Sequence, residues 1–156
     1  MLHIALAIAL QSAAAPPVGD DIPPYTISDA NAGAEPYDGD RLFNAFNGKP
    51  GVDRVVAGLI ALSVADPRIA DIFKGHDLDR LNRTLAEQVC YLLGGGCAYT
   101  GRDMKAVHAD MGLQTADLNA LVENLQRAMD KEGVPFRAQN KLLAKLAPMK
   151  PDIVER

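Results

Sequence analysis

The sequence predicts an all-α protein with a single domain. Apolar residues recur at steps of three and four in several stretches after Leu42, which is the spacing of one helix face. Proline or glycine separates these stretches, as expected where helices end. The alternating pattern of half-buried strands is absent from the sequence. At 156 residues, the chain is long enough for one domain with a sizeable core.

Two helical stripes precede the glycine-rich centre of the chain. The first should end at Asp66-Pro67, because proline disfavours helical conformation in the residue before it. The second should begin after Asp77, a capping residue, and end at Gly94. The first stripe consists of Val52, Val55, Val56, Leu59, Ile60 and Val64, and the second of Leu78, Leu81, Leu85, Val89 and Leu92.

Two further stripes follow. Thr115 can cap a helix that stops near Gly133, and Pro135 suits the first turn of a last helix that runs towards Pro148. The apolar residues of these stripes are Leu118, Leu121, Val122, Leu125 and Met129, followed by Leu142, Leu143 and Leu146.

The first fifteen residues are typical of a secretory signal peptide. Leu2 to Leu10 are apolar, and Ala13-Ala14-Ala15 offers a cleavage site before Pro16. Residues 1–15 therefore predict a periplasmic or secreted protein. The start Met1-Leu2-His3 lacks the usual basic residue, so an ordinary frayed terminus on a cytoplasmic protein is the alternative.

Residues 16–38 are predicted to form a linker, because they carry five prolines without helical or strand periodicity. The domain proper then covers residues 39–156. With 20 acidic and 16 basic residues and a net charge of −4, the chain lacks the basic footprint of nucleic-acid binding. The apolar stretch near the start is too short to span a membrane.

Cys90 and Cys97 are the two cysteines of the chain. In an exported protein they can pair, and in a cytosolic one they act as small hydrophobic residues. Residues seven apart on one helix lie about 10 Å apart, so pairing requires a break in the helix between them. The Cys-x-x-Cys-His signature of covalent haem attachment is missing.

A histidine follows the glycine-rich centre in the segment Gly94-Gly95-Gly96-Cys97-Ala98-Tyr99-Thr100-Gly101-Arg102-Asp103-Met104-Lys105-Ala106-Val107-His108. Neutral imidazole is a good ligand for iron. This segment resembles the one that carries the iron-binding histidine in group I truncated haemoglobins. The resemblance extends from about Leu42 to Val154 through motifs in matching order, among them Gly48-Lys49-Pro50-Gly51-Val52, Ala65-Asp66-Pro67-Arg68, Ile72-Phe73, Gly133-Val134-Pro135 and Ala147-Pro148.

The resemblance implies a two-over-two helical sandwich around non-covalently bound haem b, with His108 as the proximal iron ligand. Phe73 is expected to pack on the haem face, and His76 and Tyr99 to meet the haem propionates. The distal wall would consist of Ile60, Leu78, Leu81 and Leu85, and the proximal and inner wall of Met104, Val107, Leu113, Leu118, Leu121 and Leu146.

The distal side departs from the family. Oxygen-binding members typically place a tyrosine and a glutamine where this chain has Ile60 and Leu85, and Leu81 is also apolar. A hydrogen bond to a bound gas is worth roughly 1–3 kcal/mol, so oxygen should be released quickly. Nitric oxide dioxygenase activity is disfavoured for the same reason.

The function implied is a haem globin that reversibly binds a diatomic gas, namely oxygen, carbon monoxide or nitric oxide, as in oxygen transport, with an electron donor to re-reduce the iron. One alternative is a haem enzyme acting on nitric oxide or peroxide. Another is a haem-free helical interaction domain on the same scaffold. Gly-x-Ser-x-Gly and a phosphate-binding loop are not found in the sequence.

Overall fold

The computed structural model describes residues 21–155. The predicted signal peptide and the first residues of the predicted linker lie outside this part. The α-helices are α1 (Arg41–Ala45), α2 (Gly48–Ala65), α3 (Leu78–Leu92), α4 (Met104–His108), α5 (Thr115–Lys131), α6 (Phe136–Leu146) and α7 (Lys150–Ile153). Short 3-10 turns lie at Asp29–Ala32, Ala70–Phe73 and Ala147–Met149. The described residues contain no strand, which confirms the all-α prediction.

Helix α2 ends, and helix α3 begins, at the residues that local backbone chemistry predicts. Helix α2 stops at Ala65, directly before Asp66-Pro67. The side chain of Asp77 accepts a hydrogen bond from the backbone N–H of Arg80 and so caps α3. Helix α5 differs from the prediction, because Gln114 rather than Thr115 is the cap residue and its N–H donates to the Asp117 carboxylate at 2.8 Å.

The four longest helices form two layers. Helix α2 packs against α3 and α5, and α6 packs against α3 and α5. The layers bury one continuous apolar core, whose fully buried members include Phe46, Val52, Val55, Val56, Met129 and Leu142. Burial of each such side chain contributes roughly 1.5–3 kcal/mol. This arrangement is the predicted two-over-two sandwich.

A glycine-rich turn ends α3 and reverses the chain. Gly94 has φ +82°, and a Cβ there would lie 2.1 Å from the Gly39 carbonyl oxygen, so only glycine fits. The turn brings Cys97 back beside α3, where it forms a disulfide with Cys90. The helix break that the sequence required for pairing is therefore present.

Residues 21–38, which we call the N-terminal segment, do not form the free linker expected from their prolines. Asp29–Ala32 is a 3-10 turn capped by the Ser28 side chain. Ala32 is fully buried in a second, smaller core cluster with Leu92, Tyr99, Met104 and Met149. The prolines lower the conformational entropy of the unfolded chain. The segment has no periodic apolar pattern, so these tertiary contacts hold it in place.

Candidate functional site

A cavity of about 470 Å³ lies between the two helical layers. Its walls come from α2, the Ala70–Phe73 turn, α3, α4 and α5. Most of the residues predicted to form the site line it, namely Ile60, Phe73, His76, Leu81, Leu85, Tyr99, Val107, His108, Leu113, Leu118 and Leu121. The volume falls within the range of about 300–1,000 Å³ that is usual for cofactor sites.

His108 lies at the end of α4 on the cavity wall. Its Nδ1 is 2.7 Å from the carbonyl oxygen of Met104. Because a carbonyl only accepts hydrogen bonds, Nδ1 carries the proton and Nε2 keeps its lone pair. Burial lowers the pKa of His108, which favours the neutral ring. Both effects prepare Nε2 to bind a metal, and the bond through Nδ1 fixes the ring as in other histidine metal sites.

The side of the cavity formed by α2 and α3 carries three of the apolar residues predicted for the distal wall. Ile60, Leu81 and Leu85 all line it, and none of these side chains can donate a hydrogen bond. Thr84 also lines the cavity, but its hydroxyl donates to the Arg80 carbonyl at 3.0 Å. The threonine proton is thus held by its own helix, as expected for threonine within a helix.

Three predicted site residues, Leu78, Met104 and Leu146, are not among the residues that line this cavity. Leu78 is the first residue of α3, is 36% exposed, and does not line the cavity. Met104 points into the second core cluster, where Ala32 and Met149 surround it. Leu146 packs against both core clusters instead of the cavity. Helical spacing identifies these residues as buried or apolar, but it does not show which neighbour each of them contacts.

The two polar residues predicted near the propionates behave differently. His76 lines the cavity at the turn before α3. Tyr99 also lines it, but its hydroxyl donates to the Arg102 carbonyl at 2.9 Å, and burial raises its pKa to about 12. The hydroxyl proton of Tyr99 is therefore already engaged in a hydrogen bond within the protein.

Sequence reasoning missed several residues of the cavity wall. Arg80 and Arg102 line it, and so does Ser63, a fully buried residue of α2. Asp21 and Ile22 of the N-terminal segment also line it. In the sequence, Arg80 precedes Leu81 and Arg102 follows the Tyr-Thr-Gly motif. Their position next to predicted site residues could have identified them as cavity residues. Nothing in the sequence signalled the contribution of Asp21 and Ile22.

Comparison with known proteins agrees with this architecture. The family model described as bacterial-like globin matches residues 41–155. A group 1 truncated haemoglobin of Mycolicibacterium paratuberculosis is 28% identical over 112 residues, covering 72% of this chain and 82% of that protein. One from a Nostoc species is 28% identical over 115 residues, covering 74% and 98%.

Solved structures show the same fold. The ferric truncated haemoglobin of Tetrahymena pyriformis superposes with a TM-score of 0.70 at 24% identity, covering 74% of this chain and 98% of that one. The 2/2 haemoglobin of a Synechococcus species, whose structure contains covalently attached haem, gives a TM-score of 0.68 at 23% identity with the same coverage. The chain therefore belongs to the bacterial-like globin family, a family of haem-binding proteins, and its fold is that of the truncated haemoglobins.

Proposed function

We propose that this globin would hold haem b through Nε2 of His108 and bind a diatomic gas reversibly. The observation that carries the proposal is the bond from His108 Nδ1 to the Met104 carbonyl, which leaves Nε2 as the free ligand atom on the cavity wall. When bound, haem iron supplies the bond to the gas, and the protein controls access and polarity.

The cavity suits the remaining parts of haem. Apolar side chains, including Phe73, Leu85 and Leu118, match the porphyrin face. The guanidinium groups of Arg80 and Arg102 suit the two propionates, because arginine pairs strongly with carboxylates. His76 joins them on the cavity wall. Both cysteines are joined in a disulfide, so no thiol is available for a thioether link and the haem is proposed to be non-covalent.

The apolar distal wall decides which gases the site favours. Ile60, Leu81 and Leu85 offer no donor to a bound gas, and the Thr84 proton is held by the Arg80 carbonyl. Oxygen depends on such a donor more than carbon monoxide or nitric oxide. Fast oxygen release disfavours nitric oxide dioxygenase activity, so we propose a carrier, scavenger or sensor rather than an enzyme, with a separate electron donor to re-reduce the iron.

We also propose that the protein matures outside the cytoplasm, in the periplasm or after secretion. The disulfide between Cys90 and Cys97 supports this, because disulfides persist in oxidising compartments. The signal peptide proposed for residues 1–15 agrees with it. Among residues 21–155, no helix has the length and apolar character needed to cross a membrane.

Absorption spectra of the purified protein test the haem proposal directly. We expect a five-coordinate ferrous spectrum and a histidine-ligated carbon monoxide complex. A protein that takes up no haem, or a six-coordinate ferrous spectrum at neutral pH, would contradict it. An assay of nitrate formation from nitric oxide and oxygen separates a carrier from a dioxygenase, and sustained turnover would favour the enzyme.

A further inference from the structure

We propose that the N-terminal segment, which lies before the residues matched by the family model, positions His108 from outside the globin domain. Its Asp29–Ala32 turn holds the loop before α4, and through that loop it sets the orientation of the histidine. The inference rests on the proposed function, since it concerns the iron ligand. It assigns to Asp29 and Asn31 a positioning role that the family resemblance does not include.

Helix α4 cannot hold its own orientation. It has five residues, whereas isolated helices shorter than about 12–15 residues are marginal in water. Its local support is the Asp103 carboxylate, which accepts from the Ala106 N–H at 2.9 Å. The direction of α4, and therefore of His108 at its end, must come from the loop that precedes it, from α7, which packs against it, and from the groups around Met104.

The Asp29–Ala32 turn contacts that loop at two backbone positions. The Asp29 carboxylate accepts from the Tyr99 N–H at 2.8 Å, and the Asn31 amide donates to the Gly101 carbonyl at 3.3 Å. The same Asn31 amide donates to Thr26 within the segment at 2.9 Å. These bonds join residues about 70 positions apart in the chain, so they are tertiary constraints on the loop.

A second connection reaches His108 through Gln88. The buried Gln88 amide donates to the Ala32 carbonyl at 2.8 Å and lies 3.4 Å from the Met104 sulfur. The carbonyl of Met104 in turn accepts from His108 Nδ1. Ala32, Gln88 and Met104 thus form a continuous series of contacts from the N-terminal segment to the histidine ring.

The segment also reaches the cavity itself. Asp21 and Ile22 contribute to its wall. The Tyr25 hydroxyl donates to the Thr100 carbonyl at 2.6 Å and accepts from the Arg80 guanidinium at 3.0 Å. The N-terminal segment therefore contacts both α3 and the loop before α4, and residues of both line the cavity.

The test compares the holoprotein with the double variant Asp29→Ala/Asn31→Ala. We expect haem transfer to an excess of apomyoglobin to be about fivefold faster, the effect of losing about one ordinary hydrogen bond. The iron–histidine stretching band of the ferrous, ligand-free protein should also shift or broaden in resonance Raman spectra. That band reports the histidine orientation, which a general loss of stability would not move.

Two variants serve as matched controls. Asp29→Asn keeps an oxygen acceptor for the Tyr99 N–H and should restore both readouts to wild-type values. Tyr37→Phe removes a bond from the same segment to the Lys141 carbonyl, which lies on α6 away from the loop, and should change neither readout. An unchanged transfer rate and an unchanged band in the double variant would overturn the inference.

Two further measurements keep the test decisive. If the double variant does not fold, Asn31→Ala alone is measured in the same way, and wild-type values there would overturn the inference. If the wild-type protein takes up no haem, the proposed function fails separately. The positioning inference is then decided by hydrogen exchange of the apoprotein, where equal exchange of residues 104–108 in wild type and double variant would refute it.

Discussion

The Cα atoms of Cys90 and Cys97 lie 5.7 Å apart, and their side chains form a disulfide across the end of α3. On a continuous helix the same two residues would lie about 10 Å apart. The turn at Gly94 therefore permits the bond, and the bond in turn fastens the end of α3 to the loop that leads to Tyr99 and α4. This crosslink joins α3 to the loop before α4, and residues of both line the cavity.

Reduction of this disulfide should lower stability. Closing so short a loop is worth roughly 2–3 kcal/mol in the entropic description of disulfides. We expect the free energy of unfolding, measured by urea denaturation, to fall by about that amount in the reductant-treated protein. Intact-mass measurement after alkylation should find no free thiol in protein from its native compartment. Two alkylated cysteines there would refute the bridge and remove its support for the proposed export.

Replacement of the iron ligand should abolish stable haem binding. His108→Ala removes Nε2 from the cavity wall, so we expect loss of stoichiometric haem or a ferrous spectrum without histidine ligation. His76→Ala is the comparison, because His76 lines the same cavity but is not the proposed ligand; it should hold haem more weakly and keep the histidine-ligated ferrous spectrum. Unchanged haem content and ferrous spectrum in His108→Ala would contradict the assignment.

A hydroxyl placed over the iron should slow oxygen release. Ile60→Tyr introduces a donor on the apolar wall, and one hydrogen bond to the gas should reduce the dissociation rate by on the order of tenfold or more. Stopped-flow and flash-photolysis measurements provide the rates. Val64→Tyr, on the same helix but 38% exposed, should leave them unchanged. Wild-type dissociation as slow as in Ile60→Tyr would show that another group already donates.

The ion pair between Arg54 and Glu132 should make stability depend on acid pH. Hydrogen bonds from Arg54 and Asn47 lower the pKa of Glu132 from 4.5 to about 2. A carboxylate with a lowered pKa stabilises the folded state above the unfolded value, and this contribution disappears as pH falls through the folded value. The stability advantage of wild type over Glu132→Gln should therefore be complete above pH 4.5 and vanish near pH 2.

Urea denaturation at a series of pH values, followed by circular dichroism, measures this difference. Arg54→Gln removes the partner of Glu132. In the Arg54→Gln background, the stability cost of adding Glu132→Gln should therefore depend less on pH. A wild-type advantage that stays constant between pH 5 and pH 2 would show that Glu132 titrates at a similar pH in the folded and unfolded chains.

The sequence by itself determined the four long helices and the residue types of the site. The stripes of α2 and α3 follow a period near 3.6, and Asp77 and Pro67 fix their ends through local backbone chemistry. The glycine-rich segment and its resemblance to truncated haemoglobins identified His108 as the candidate iron ligand. These features depend on neighbours within a few residues along the chain, which is why pattern and resemblance were sufficient.

Only the tertiary structure decided which side chains meet. Periodicity shows that Met104 belongs on an apolar face, but the packing of Ala32 and Met149 turns it away from the cavity. Arg80 and Arg102 reach the cavity wall although their types suggest solvent. The N-terminal segment has no periodic pattern, so its docking depends entirely on groups distant in sequence, such as the Tyr99 N–H and the Gly101 carbonyl. Contacts between distant residues depend on how the layers pack, and local sequence patterns do not specify that packing.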